Sequence, residues 1–111
     1  MRILSQDKML DVDYSKVYLS VEESADGEIG SIFVSDTFKK DVGYEILGQY
    51  NSKERALEVM DKIRRRNVFA EVFKKASAEE RDYMVATKAE ESNVTEAEAL
   101  IATEYYYMPA E

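Results

Sequence analysis

Asn51-Ser52-Lys53-Glu54, followed by Ala56, Leu57, Met60 and Ile63, is the stretch on which the fold turns. Before it apolar residues alternate with polar ones, and from it onward they recur at helical spacing. Asn51 with Glu54 three residues later matches the arrangement in which side-chain acceptors and backbone donors satisfy one another at a helix start. A helix is therefore expected from Asn51, with Ala56, Leu57, Met60 and Ile63 on its apolar face and Glu58, Asp61, Lys62 and Arg65 opposite. Asn67 is a candidate stop, although Val68, Phe69, Val72 and Phe73 can carry the stripe further.

Working back toward the N-terminus, Val17, Leu19 and Val21 alternate with Tyr18 and Ser20, the period of a strand with one buried face. Glu22 to Gly27 is a polar turn whose Asp26-Gly27 pair is a strong hairpin signal. Ile29 to Val34 supplies a second strand, Lys39-Lys40-Asp41 with Gly43 interrupts, and Tyr44, Ile46 and Tyr50 supply a third. Ile3-Leu4 is a short strand, at an edge or in the centre. Toward the C-terminus, Ser77 with Glu80 and Thr95 with Glu98 are capping boxes that open two further helices, one through about Glu91 and one through about Thr103. Tyr105-Tyr106-Tyr107-Met108 reads as a last strand, closed by Pro109, the only proline. Strands, then helices, then one strand imply a single α+β domain over residues 1–111: a mainly antiparallel sheet with two or three helices packed on one face.

The chain has 111 residues and 45% hydrophobic content, enough for one core without covalent help. With no cysteine and no histidine, a thiolate nucleophile, a Ser-His-Asp triad and a Cys/His zinc site are excluded. Asp11 and Asp13 are the best strand-spaced carboxylate pair for a metal, but two ligands alone do not make a site. The four glycines form no phosphate-cradling loop. No catalytic residues, metal or cofactor are assigned, and a non-enzyme is expected. No apolar run approaches a membrane span, and Met1-Arg2-Ile3-Leu4 is too short for a signal peptide, so a cytoplasmic protein is expected.

The formal charge of −8 disfavours direct nucleic-acid binding, yet it is unevenly distributed. Residues 1–50 carry 5 basic and 10 acidic side chains, residues 51–76 carry 8 and 4, and residues 77–111 carry 2 and 9, giving −5, +4 and −7. Lys62, Arg64, Arg65 and Arg66 centre the basic segment, with Lys74 and Lys75 beyond, and Arg64, Arg65 and Arg66 are the candidate ligand-binding cations. Cations at a helix end complement the macrodipole and pair with acidic flanks. Guanidinium groups there also make a fork for phosphate, and a compact nucleotide suits them better than a polymer repelled by the whole surface. Tyr105 and Tyr107 point to one side of a strand and Tyr106 to the other, so the triplet is not wholly core; Tyr105 or Tyr107 is a candidate platform for a base. Phe69 and Phe73 compete for that role, although their spacing suits a core stripe.

Met1-Arg2-Ile3-Leu4-Ser5-Gln6-Asp7 and Asp11-Val12-Asp13-Tyr14 resemble the start of small accessory proteins of Gram-positive phages and prophages. Tyr50-Asn51-Ser52-Lys53-Glu54-Arg55-Ala56 with Met60 and Arg64, and the ending Tyr107-Met108-Pro109, resemble the same group. The expected architecture is also similar to the phage sponge proteins that counter Thoeris immunity by sequestering cyclic ADP-ribose isomers. That resemblance implies a non-catalytic homo-oligomer that takes up a small cyclic nucleotide in the host cytoplasm. Two other functions stay open. One is an acidic inhibitor of a defence nuclease, such as an anti-CRISPR protein, using acidic positions 79, 80, 82, 90 and 91 as a DNA mimic. The other is a structural or assembly protein of the virion pairing through the tyrosine strand.

Overall fold

The computed structural model describes residues 1–36 and 45–111. Arg2–Leu4 (β1) is a central strand, flanked by antiparallel Asp11–Asp13 (β2) and by the C-terminal Tyr105–Tyr107 (β6), which runs parallel to it. Val17–Glu23 (β3), Gly30–Asp36 (β4) and Glu45–Tyr50 (β5) form a second, wholly antiparallel sheet in the order β3-β4-β5. Lys53–Lys75 (α1), Ala78–Ser92 (α2) and Glu96–Ile101 (α3) follow. Among the described residues this is an α+β fold of three helices and two three-stranded sheets. The expected break at Lys39-Lys40-Asp41 and Gly43, and Tyr44 of the expected third strand, lie outside the described residues.

The β1–β2 and β3–β4 connections turn on the same six-residue device. In Ser5–Leu10 and in Ser24–Ile29, the serine amide donates to the carbonyl of the sixth residue at 2.9 Å, and the fourth residue's amide returns to the serine carbonyl at 2.9 Å. The serine hydroxyl donates to the aspartate of the third position and accepts the sixth residue's amide, while the aspartate accepts the fifth residue's amide. The fourth position has positive φ in both, +64° at Lys8 and +74° at Gly27. Asp7 and Asp26 are each held below the usual carboxylate range, first by the serine hydroxyl and then by the backbone amide they accept.

The sheets are joined by Gln6. Its amide donates to the Leu47 carbonyl at 2.7 Å, its side-chain oxygen accepts from the Gln49 amide, and its Nε2 donates to the carbonyls of Gln49, Pro109 and Ala110. Tyr50 Oη also donates to the Pro109 carbonyl at 3.0 Å, so the end of the chain is fastened across the seam.

Helix α1 begins at Lys53 with Ser52 as its cap, Oγ accepting the Arg55 amide at 3.1 Å, rather than with the expected Asn51. Ala56, Val59, Ile63 and Ala70 are its buried residues, while Leu57, placed on the inner face from sequence, is 48% exposed. The inner face joins Ile3, Ile32, Val34, Leu47, Tyr50, Tyr106 and Met108 in one core between α1 and both sheets. The first turn of α1 lies so near β4 that a Cβ on Gly30 would stand 2.4 Å from the Ser52 carbonyl oxygen. Asn67 does not end the helix, which continues to Lys75. The Thr95–Glu98 capping box forms as expected; at Ser77 the hydroxyl caps the Glu80 amide, but Glu80 Oε1 accepts that hydroxyl's proton at 2.9 Å, so the expected box is only half made, and Asn93 in left-handed geometry closes α2. Helices α2 and α3 pack on one another, whereas α1 lies across β3, β4 and β5. No helix among the described residues is long and apolar enough to cross a membrane.

Candidate basic groove

A groove of about 540 Å³ runs between α1, α2 and the end of β6, lined by Arg55, Lys62, Arg65, Arg66, Phe69, Lys88, Tyr106, Tyr107 and Pro109. Five of these side chains are cationic and none is acidic, in a chain whose net charge is −8. Arg55, Lys62, Arg66 and Phe69 fall at positions i, i+7, i+11 and i+14 of α1, which a 100° step per residue brings to one side of the helix. Lys88 arrives from α2 and the tyrosines from β6.

The cations are held in different ways. Arg66 Nη1 donates to the Ala102 carbonyl at 3.1 Å, and its guanidinium lies 5.6 Å from the centre of the buried Tyr106 ring, so it is fixed in place without a carboxylate partner among the described residues. Lys88 sits over Phe69, its Nζ 5.7 Å from the ring centre. Neither Lys62 nor Lys88 forms an ion pair among the described residues. Arg65 pairs with Asp61 at 2.8 Å, and Arg55 with Glu58 at 3.2 Å while also donating to the Glu111 carbonyl. Burial pushes the Tyr106 hydroxyl above the ordinary phenol range, opposed in part by Arg66 and Arg55. Tyr50, next to it in the core, is pushed up to about 12, by burial first and by Tyr106 second.

The five residues expected at the site divide. Arg65, Arg66 and Tyr107 border the groove, and Tyr107 is 59% exposed there. Arg64 does not: consecutive residues fan out around a helix, and Arg64 instead lines a smaller hollow with Tyr14, Val17, Tyr18, Leu19 and Met60. It pairs with Asp61 at 2.7 Å, and that hydrogen bond, with the Arg65 charge, holds the Asp61 carboxyl below its usual range. Tyr105, half-buried opposite Arg2 in the parallel ladder, is not part of the groove lining either. Arg55, Lys62 and Lys88 are not among the expected ligand-binding residues, although Lys62 stands at the centre of the basic segment. The heptad spacing of Arg55 and Lys62 with Arg66 signals the first two, whereas Lys88 reaches the groove only through the packing of α2. The rings of Phe69 and Phe73 stack with centroids 6.4 Å apart, but Phe69 faces the basic groove and Phe73 a different one.

Asp11 and Asp13 both have structural partners. Asp11 accepts from Arg2 Nε at 2.9 Å, and Asp13 caps the 3-10 turn at Tyr14–Lys16 by accepting from the Ser15 amide and hydroxyl. No cluster of three or more potential metal ligands occurs among the described residues. A scan against protein-family models, a search of curated proteins and a search of solved structures each find no significant match.

Proposed function

We propose that this chain is a non-enzymatic binder of a small phosphate-bearing nucleotide, held in the basic groove, and that it acts in phage anti-defence by sequestering a cyclic nucleotide signal in the host cytoplasm. The observation that carries the proposal is the convergence of Arg55, Lys62, Arg65, Arg66 and Lys88 in a lining without a carboxylate, on a strongly acidic chain. Guanidinium and ammonium groups favour phosphate oxygens, and Lys62, Arg66 and Lys88 form no ion pair among the described residues, whereas Arg65 and Arg55 also hold Asp61 and Glu58. The exposed Tyr107 ring offers a surface on which a base can stack. A volume of about 540 Å³ suits a ligand of nucleotide size. The acidic segments on either side oppose a long polyanion more than a compact one. The resemblance to phage accessory and sponge proteins supplies the biological setting.

A second function has its own support. Glu79, Glu80, Asp82, Glu90 and Glu91 of α2 are all exposed, and none forms an ion pair among the described residues, leaving an acidic surface suited to a basic groove on a nuclease. Native mass spectrometry with cyclic ADP-ribose isomers, cyclic dinucleotides and a basic nuclease in parallel separates the two. Sequestration requires a nucleotide adduct on the protein alone. Absence of every nucleotide adduct, with a salt-sensitive nuclease complex instead, favours the mimic.

A further inference from the structure

Two surfaces of the helices lack a partner among the described residues, the second of them bounded at Arg64 by the hollow beside β3. The first is a groove of about 960 Å³ between the end of α1, α2 and α3. Phe73, Val85 and Leu100 give it an apolar floor, and Asp82, Glu96 and Glu104 stand along it as acids. Arg81, its one cation, is turned onto its own chain, donating to the carbonyls of Phe73 and Lys74 and lying over the Phe73 ring. The second surface is the outer stripe of α1. Arg64, Val68, Val72 and Lys75 follow one another at helical spacing, with Val68 58% and Val72 54% exposed. Asp61 is shared between Arg64 and Arg65, and Lys75 forms no ion pair among the described residues, so this stripe is apolar and net basic.

The surrounding helices are thinly packed. Ala89 is the one buried residue of α2 and Ala99 the one buried residue of α3, while Leu100 and Ile101 are about half exposed. Burial this slight offsets little of the conformational entropy lost in ordering two helices, so further apolar cover is expected. The stripe and the groove match each other in chemistry. Val68 and Val72 suit a floor of Phe73, Val85 and Leu100, and Arg64 and Lys75 suit a rim of Asp82, Glu96 and Glu104.

We propose that a second copy of this chain covers both surfaces: the outer stripe of α1 in one protomer docks into the α2/α3 groove of its partner, and the partner's stripe docks in return. A two-fold axis makes each contact twice, doubling the area that a single helix segment would bury. The proposal is independent of nucleotide binding, because the basic groove opens on another side of α1.

The test is multi-angle light scattering on gel filtration over about 1 to 100 μM protein, a range that brackets micromolar dissociation constants. The wild-type chain is expected at twice its monomer mass, with the dimer weakened by added salt. V68E/V72E breaks the stripe and L100E breaks the groove; each alone is expected to run as a monomer with wild-type helicity. Mixed in equal amounts at the highest concentration, the two variants are expected to form a heterodimer, since the intact stripe of one meets the intact groove of the other. D82R/E104R reverses the rim charge without touching an apolar residue, so it carries the test even if a glutamate variant loses helicity, and at least a tenfold rise in dissociation constant is expected. A wild-type monomer throughout, variants that remain dimeric, or a mixture that stays monomeric would each overturn the proposal, the first by leaving the faces to a different partner.

Discussion

Replacing Lys62 by alanine separates the groove in the structure from the arginine cluster in the sequence. Lys62 is exposed, lines the groove and has no ion pair among the described residues, so its removal changes folding stability by no more than about 0.5 kcal/mol. Its loss from a bound phosphate removes a charge-assisted hydrogen bond worth about 1.5 to 3 kcal/mol, or roughly a 10- to 150-fold rise in Kd. Arg64→Ala removes the same charge from the same helix, but on the side facing Tyr14, Tyr18 and Met60. With a helix about 10 to 12 Å across and a screening length near 8 Å, its effect on the groove stays below about threefold. Calorimetric titration of both variants with cyclic ADP-ribose, cyclic di-AMP and pyrophosphate makes the comparison, because net charge is identical. Equal losses in the two variants, or the larger loss in Arg64→Ala, would refute the assignment of the groove.

Three further outcomes follow from the packing. Gly30→Ala sets a methyl group against the Ser52 carbonyl and the Lys53 Cα, both backbone, and is expected to cost about 2 kcal/mol and lower Tm by roughly 8 °C or more; an unchanged melting curve contradicts the close approach of α1 to β4. Gly27→Ala should destabilise by about 1 kcal/mol because φ is positive there, while Lys8→Ala, at the same position of the matching turn, stays within about 0.5 kcal/mol since a side chain already occupies that geometry; chemical denaturation of the pair checks the equivalence of the turns. The Tyr50 hydroxyl, raised to about 12, favours the folded state while it is protonated, so its contribution is intact below the unfolded phenol value near 10 and fades as pH climbs through 12. Denaturation of wild type and Tyr50→Phe between those limits should show a steeper decline in the wild type, and parallel declines would contradict the burial of that hydroxyl.

What the sequence disclosed follows the range of each signal. Ser77 with Glu80, Thr95 with Glu98, and Asp26-Gly27 act within a few residues, and each sits where it was expected. The matching turn at Ser5–Leu10 was less visible because Lys8 stands where the other turn has glycine, and the informative pattern was serine, then aspartate two residues on. Ser52 displaces Asn51 as cap because adjacent residues of similar capping strength compete and the fit of α1 onto β4 decides between them. The parallel pairing of β1 with β6 joins residues more than a hundred positions apart, which no local period encodes. The groove was half legible for the same reason. Arg65, Arg66 and Tyr107 carried a signal in composition, whereas Arg64 and Tyr105 needed the helix phase and strand register to be set aside, and Lys88 needed the path of α2 to be found.

Backbone amide and side-chain resonances followed by NMR during titration with cyclic ADP-ribose and cyclic dinucleotides place a ligand on the surface most directly. The account predicts saturable shifts at Lys62, Arg65, Arg66, Lys88 and Tyr107, with Arg64 and Tyr105 unmoved. Shifts centred on Arg64 or on the acidic face of α2, or no shifts at ligand concentrations up to about 1 mM, would contradict it.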